Sequence, residues 1–221
     1  MHTPTHSPES SAQTEGRMIR WASFYDGFAN IMTLGHIRRL RTLIVEQALL
    51  KPGEKVLDVG CGTGGVTIPT KQRVGKTGEA SGIDPAPEMI ALARQKASRT
   101  GLEIDFRVGV IESLPFPDGT FDAVTSSLMM HHLPEHLQVK GLAEIRRVLK
   151  PGGRILIADM MRPSNSTIKR FFTLLIQHGH GMKFGIEDLL RHIREAGFDD
   201  VKQLDAHFMT IGFIRAKKPA A

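Results

Sequence analysis

The residues best suited to chemistry form one short stretch in the first third of the chain. Residues 56–59 are apolar except for Asp58, as in a strand that is covered on both faces. Gly60, Gly62 and Gly64 follow at once. Glycine has no Cβ, so the backbone there can take positive φ and a ligand can lie against the main chain. We expect a strand, a tight ligand-binding turn and a helix that begins near Gly64.

Two kinds of nucleotide cofactor could fit this turn, and Asp58 separates them. Gly60, Gly62 and Gly65 match the GxGxxG fingerprint, which makes a nicotinamide oxidoreductase one candidate. Its pyrophosphate would sit on N–H groups at the helix start, where a carboxylate would repel it. S-adenosylmethionine has no phosphate and carries a positive ammonium and a positive sulfonium, so the acid favours it. The predicted binding turn comprises Gly60, Cys61, Gly62 and Gly64.

A second acid falls where a ribose would lie. Residues 79–84 are predicted to form the second strand, which ends at Asp84. This residue comes 20 positions after Gly64 (84 − 64), the spacing at which an acid at the strand tip can accept hydrogen bonds from ribose hydroxyls. Pro85 and Pro87 then begin a helix, as proline favours the first helical turn.

Together these motifs resemble those of the class I S-adenosylmethionine-dependent methyltransferases. Residues 56–65 resemble the first motif of that family, and the similarity extends over about residues 25–162. It is closest to the group that includes the ubiquinone/menaquinone C-methyltransferases. Residues 117–122 match the family's Pro-Asp-x-x-Phe-Asp, and residues 149–153 match its Leu-Lys-Pro-Gly-Gly. The resemblance implies S-adenosylmethionine as methyl donor and S-adenosylhomocysteine as product.

The resemblance also implies contacts for individual cofactor groups. Tyr25 would contact the cofactor carboxylate, and Met89 would lie under the adenine, although Met89 also suits an ordinary helix core. Where the family has an Asp that accepts the adenine amino group, this chain has Val110. Recognition of adenine should then rest on the backbone of Val110 and Ile111, and we expect a lower affinity for the cofactor. Two further residues complete the predicted cofactor-binding set, Pro85 and Ser126.

His131 and His132 are the candidate catalytic residues. They follow the predicted fourth strand, 123–127, and ligands of open α/β sheets bind at the carboxyl ends of strands. Histidine titrates near neutrality and could remove a proton from a methyl acceptor, but these two could equally be structural. A metal site that adds His178 and His180 lacks a neighbouring Cys, Asp or Glu at a familiar ligand spacing, so we predict no metal.

Composition limits the other functions. The single cysteine, Cys61, leaves no disulfide framework. No apolar run approaches the roughly 20 residues that span a bilayer, and the start lacks the pattern of a secretory signal, so we expect a cytoplasmic protein. One Trp and one Tyr are too few for a base-stacking surface, so we expect no nucleic acid.

The formal net charge of +6 is spread along the chain, and a solvated basic surface explains most of it. A sharper alternative is a patch of Arg38, Arg39 and Arg41 with Lys169 and Arg170 at one cleft mouth. Such a patch could hold anionic lipid headgroups or a carboxylated substrate, and so bring the protein to a membrane surface.

The elements that position these residues predict a single α/β domain. Residues 1–16 should be a disordered tail, residues 17–50 a helical lid, and residues 51–221 the methyltransferase domain. Strands and helices alternate before a final hairpin, so we expect one doubly wound, Rossmann-like sheet of seven strands, mostly parallel, with an antiparallel C-terminal hairpin.

The acceptor is expected to be small and apolar, such as a quinol or phenol. This expectation depends on surplus apolar residues of two segments, namely Trp21, Phe24, Phe171, Phe172, Leu175 and Ile176. The reaction would be in-line transfer of the sulfonium methyl. The alternatives are N-methylation of a phospholipid or another amine, a nicotinamide oxidoreductase, and a cofactor-binding protein without catalysis.

Overall fold

A computed structural model describes residues 14–16, 27, 29–31, 33–161 and 186–220. Its helices are α1 (Ile37–Gln47), α2 (Thr67–Val74), α3 (Pro87–Thr100), α4 (Glu135–Val148) and α5 (Ile186–Glu195). Its strands are β1 (Lys55–Val59), β2 (Glu79–Asp84), β3 (Asp105–Val108), β4 (Phe121–Ser127), β5 (Leu149–Met160), β6 (Asp199–Phe208) and β7 (Ile211–Lys217). A 3₁₀ turn, Met130–His132, follows β4.

One seven-stranded sheet contains all of these strands in the order β3-β2-β1-β4-β5-β7-β6. Strands β1 to β5 run parallel to one another, and β7 is antiparallel to both of its neighbours, β5 and β6. The predicted α/β fold, with its mostly parallel sheet and antiparallel C-terminal hairpin, is confirmed. The order reverses between β1 and β4, and a crevice at such a reversal is where open α/β sheets bind ligands.

The sequence predicts a fifth strand at residues 154–159, and the observed strand β5 is longer. It starts at Leu149, which pairs with Phe121, and the register with β4 then shifts before Ala123 pairs with Arg154. The Pro-Gly-Gly step, with Gly152 at φ 73°, lies inside this irregular stretch. The turn composition therefore marks a bulge within the strand, where we had expected a loop before it.

Helices cover both faces of the sheet. Leu57, Val124 and Ile155 pack in one apolar cluster with residues of α4 and α5. Their strand neighbours Val56 and Leu156 point to the other face, because side chains alternate along a strand, and pack with residues of α1. Helix α1 thus belongs to the core of the domain. The part of the predicted lid at 17–26 lies outside the described residues.

Residues 14–16 have defined partners in the structure. Thr14 Oγ1 donates a hydrogen bond to Glu112 Oε1 at 2.7 Å, and Glu15 Oε2 lies 3.0 Å from His136 Nε2. These three residues belong to the predicted disordered tail, 1–16, whose other residues lie outside the described part of the chain, so the disordered tail stays a prediction. Among the helices that the structure describes, none is long and apolar enough to cross a membrane.

Candidate active site

The carboxyl ends of the first four strands open into one cleft. Its empty volume, including the open mouth, is about 730 Å³. Each strand contributes the residues at or just after its tip: Val59, Gly60 and Gly62 for β1, Ile83, Asp84 and Pro85 for β2, 109–112 for β3, and 127–129 for β4. Thr14, Gly16, Met89, His132 and Leu133 complete the lining.

The turn after β1 requires glycine. Gly60 has φ 72°, and a Cβ there would lie 2.5 Å from Met129 Cγ. The N–H groups of Gly60 and Cys61 both donate to the carbonyl of Ile83, at 2.9 and 3.0 Å. The turn is therefore held against β2 on one side and packed by the tip of β4 on the other, with its backbone exposed to the cleft.

Asp58 lies beneath the cleft and does not line it. Its Oδ1 accepts a hydrogen bond from Thr125 Oγ1 at 2.9 Å, and its Oδ2 accepts one from Thr67 Oγ1 at 2.7 Å. Burial raises the pKa of Asp58 to about 6, although the two hydroxyls oppose that shift. The sequence predicts that this acid lies beside the positive cofactor groups. Both oxygens accept hydrogen bonds from hydroxyls, so any attraction to those groups would act at a distance, and the contact stays a prediction.

Asp84 does line the cleft, at the tip of β2. Its Oδ2 accepts a hydrogen bond from Gly62 N at 2.9 Å, and its Oδ1 accepts one from Ala86 N at 3.0 Å. Burial raises the pKa of this carboxyl, and the two backbone N–H groups oppose the shift. A carboxylate oxygen can accept more than one hydrogen bond, so both oxygens can also accept from ribose hydroxyls. The geometry fits the predicted ribose contact, which stays a prediction.

Apolar residues form the β3 end of the cleft. Met89, only 2% exposed, and Ile111, 5% exposed, line it together with Pro85 and Val110. Met89 is therefore both a core residue and a cleft residue, as the sequence allowed. These side chains make the β3 end of the cleft apolar.

Sequence reasoning missed Glu112, which also lines this end. Its Oε1 accepts the hydrogen bond from Thr14, and its Oε2 is buried with no hydrogen-bond partner. The only sequence signal was its place two residues after Val110, in a run already compared with the family. The acid had no assigned role there.

Several predicted site residues do not line the cleft. Cys61, Gly64 and Ser126 lie behind it, although Cys61 and Gly64 belong to the glycine turn. Burial, together with the charges of Asp58 and Asp84, raises the pKa of the Cys61 thiol, which disfavours a reactive thiolate. Ser126 Oγ is buried with no hydrogen-bond partner and faces no cleft space.

The two histidines have different positions. His132 lines the cleft, whereas His131 lies behind it with its ring centroid 3.9 Å from that of His132. His131 Nδ1 lies 2.5 Å from Oδ1 of the buried Asp159, and Asp159 Oδ2 accepts a hydrogen bond from His131 N at 3.2 Å. A carboxylate can only accept, so Nδ1 carries the hydrogen. Asp159, which the sequence analysis did not single out, thus fixes the orientation of His131.

The chain enters this region through a strained residue. Leu128, directly after β4, has φ 53°, which is uncommon for a residue with a branched side chain. Gln138 of α4 donates hydrogen bonds to the carbonyls of Met130 and Leu133, both at 3.1 Å, and so holds the 3₁₀ turn from below. The histidines are therefore placed by three separate elements.

The remaining sequence candidates divide by position. Tyr25, the surplus apolar residues of both segments, Lys169, Arg170, His178 and His180 lie outside the described residues. Arg38 and Arg39 are exposed, while Arg41 is half-buried with its guanidinium against Gly65. Within the described part of the chain, no three His, Cys, Asp or Glu side chains gather as a metal site would require.

Comparisons with known proteins agree with this geometry. A family model described as a methyltransferase domain matches residues 56–153. The chain is 36% identical over 183 residues to the demethylmenaquinone methyltransferase of Deinococcus radiodurans, a match that covers 80% of this chain and 75% of the relative. It is 33% identical over 159 residues to the 2-phytyl-1,4-naphthoquinone methyltransferase of Synechococcus elongatus, covering 71% and 67%.

A solved structure of an S-adenosylmethionine-dependent methyltransferase from Aquifex aeolicus has a TM-score of 0.65 to this chain at 24% identity, covering 80% of this chain and 88% of that one. This similarity supports the fold. The identity and coverage of the relatives go further, since they extend well beyond the cofactor motifs. The chain belongs to the class I S-adenosylmethionine-dependent methyltransferases, in the group that includes the ubiquinone/menaquinone C-methyltransferases.

Proposed function

We propose that this methyltransferase transfers a methyl group to a ring carbon of a quinol that carries an apolar tail. The printed names of the two relatives describe methyltransferases of demethylmenaquinone and of a phytyl naphthoquinone. The observation that carries the proposal is the histidine pair: His132 lines the cleft at the tip of β4, and His131 with Asp159 supports it from behind. Carbon methylation of a quinol needs such a base.

The residues of the cleft fit the cofactor. S-adenosylmethionine supplies the methyl group and the sulfide leaving group. The exposed backbone of the glycine turn, Asp84, and the apolar β3 end with Met89 and Ile111 would hold it. Family membership removes the nicotinamide oxidoreductase as an alternative.

The protein's own contribution is to position the acceptor and to take a proton. A quinol hydroxyl loses its proton to His132, and the electron density that remains makes the adjacent ring carbon nucleophilic. After that carbon has taken the methyl group, it loses its own ring hydrogen as a proton, which restores the aromatic quinol. His131 positions the His132 ring by contact, and Asp159 in turn holds His131 in one orientation. Positioning of this kind can supply a large part of the rate enhancement, because the nucleophile, the methyl and the sulfur must be in line.

A membrane surface is the proposed source of the acceptor. Ile31 and Leu34 are 68% and 73% exposed, and Arg38 and Arg39 are exposed shortly after them. Apolar side chains beside cations are the chemistry that anionic membrane surfaces bind. We propose a cytoplasmic protein with peripheral contact to an anionic membrane. The same surface would also suit a phospholipid amine, which remains the second candidate acceptor.

A direct assay separates these acceptors. Methyl transfer from labelled S-adenosylmethionine is measured with chemically reduced demethylmenaquinone and, separately, with phosphatidylethanolamine vesicles. We expect label in the quinol and none in the lipid. Labelled phospholipid alone would contradict the proposal.

The base is tested in the same assay with His132→Ala. Loss of a general base should lower turnover of the quinol by roughly 10²–10⁴ and leave the affinity for S-adenosylhomocysteine unchanged. His207→Ala, at an exposed position on β6, is the matched control and should keep full activity. Full activity of His132→Ala would show that the histidine is structural.

A further inference from the structure

The β3 end of the cleft holds a carboxylate that methyl transfer does not use. Glu112 follows β3 and lines the cleft beside Val110 and Ile111. Its Oε1 accepts a hydrogen bond from Thr14 Oγ1 at 2.7 Å. Its Oε2 is shielded from solvent and, among the residues that the structure describes, has no hydrogen-bond donor. One half of this carboxylate is thus held in place and the other half lacks a donor.

An unpaired buried acceptor is unfavourable, and more so when it is charged. A hydrogen-bond donor that enters the cleft and reaches Oε2 removes this unfavourable free energy, so binding of such a donor is favoured. The other carboxylate of the cleft lining differs, because both oxygens of Asp84 already accept backbone hydrogen bonds. Glu112 is therefore the carboxylate with the most to gain from a ligand.

The layout of the cleft indicates which ligand group arrives there. The glycine turn and Asp84, at the tips of β1 and β2, lie between the β3 end and His132, which follows β4 and is the proposed place of methyl transfer. The cofactor's base must then lie at the β3 end, where Met89 and Ile111 are apolar and can pack on a flat ring. The strong hydrogen-bond donor that adenine presents is its exocyclic amine. Val110 offers it no side-chain acceptor.

We propose that Glu112 accepts a hydrogen bond from the exocyclic amine of adenine and so selects adenine over purines that lack this group. Thr14 acts as a positioning residue, since its hydroxyl holds the carboxylate from the opposite side. This assignment replaces the sequence-based expectation that the backbone of Val110 and Ile111 alone reads the base. It needs only cofactor binding, so failure of the quinol assay would leave it standing.

The test compares two ligands by titration calorimetry, S-adenosylhomocysteine and its analogue with hydrogen in place of the purine amino group. The wild-type protein should bind S-adenosylhomocysteine at least tenfold more tightly, as expected for a hydrogen bond to a charged acceptor. Binding of both ligands within twofold of each other would overturn the proposal without any substitution.

Two variants then locate the selectivity. Glu112→Met, close in shape but without an acceptor, should bind both ligands equally, with the loss confined to S-adenosylhomocysteine. Thr14→Val removes the hydroxyl that positions the carboxylate, so it should lower the ratio of the two affinities, though less than Glu112→Met does. A Glu112→Met protein that melts normally and keeps the wild-type ratio would overturn the assignment, because another group would then recognise the amine.

Discussion

The two halves of the cleft differ in whether backbone groups or side chains form them. The cofactor half, at the tips of β1 and β2, is largely backbone: Gly60 and Cys61 donate to Ile83, and Gly62 donates to Asp84. The acceptor half, at the tips of β4 and β5, is made of side chains, with His132 on the cleft and His131 and Asp159 behind it. Backbone contacts suit a ligand that is always the same, such as the cofactor. Side chains can differ between proteins that act on different acceptors.

This contrast predicts that substitutions separate cleanly. Changes in the acceptor half should lower turnover and spare the affinity for S-adenosylhomocysteine. Changes in the cofactor half should weaken the binding of S-adenosylhomocysteine. They should leave turnover unchanged when the cofactor is saturating.

Among the substitutions that test this contrast, Asp159→Asn has the largest expected effect. The amide can donate to His131 Nδ1, which would reverse the ring's donor and acceptor atoms, so turnover of the quinol should fall by roughly a hundredfold. Calorimetry with S-adenosylhomocysteine should show unchanged affinity. Asp205→Asn, exposed on β6, is the control. A parallel loss of cofactor affinity would show that the two halves are not independent.

Asp84→Ala tests the cofactor half. Removing the acceptor of the ribose hydroxyls, which also holds Gly62, should weaken binding of S-adenosylhomocysteine at least tenfold. Turnover at saturating cofactor should change little. Asp105→Ala, on the exposed side of β3, should bind normally. Unchanged affinity in a folded Asp84→Ala protein would remove the ribose assignment.

Gly60→Ala tests the tight turn by its stability. Gly60 and Gly119 have φ of 72° and 59°, so alanine is strained at both, but only at Gly60 would the new Cβ meet Met129. Urea denaturation should give Gly60→Ala a free energy of unfolding about 1 to 2 kcal/mol lower than that of Gly119→Ala. Equal values would mean that Met129 moves aside at no cost.

The remaining prediction concerns pH. Burial raises the pKa of Asp58 from 3.8 to about 6, so the folded protein holds this proton more tightly than the unfolded chain does. The resulting stabilisation is complete below about pH 4 and is lost as the pH rises through 6. Relative to wild type, Asp58→Asn should therefore gain stability between pH 4 and pH 7, by about 3 kcal/mol. A pH-independent difference would contradict the buried charge.

The sequence predicted local features of the fold better than the placement of side chains. The predicted bounds of β2, 79–84, agree with the structure, because the end of the strand is marked by the residues that follow it. The hydrogen bonds of Asp58 could not be predicted, because one of them comes from Thr125, 67 residues away. Glu112 depends on Thr14 across 98 residues, and His131 on Asp159 across 28. Contacts of this range leave no periodic pattern in one sequence.

The central claim is methyl transfer to a quinol within this cleft. The most direct measurement incubates wild-type protein with labelled S-adenosylmethionine and reduced demethylmenaquinone, then identifies the methylated ring position by mass spectrometry. The account predicts one carbon-bound methyl group and one equivalent of S-adenosylhomocysteine. Tight binding of S-adenosylhomocysteine without any transfer would contradict it and would indicate a cofactor-binding protein that acts on another acceptor or on none.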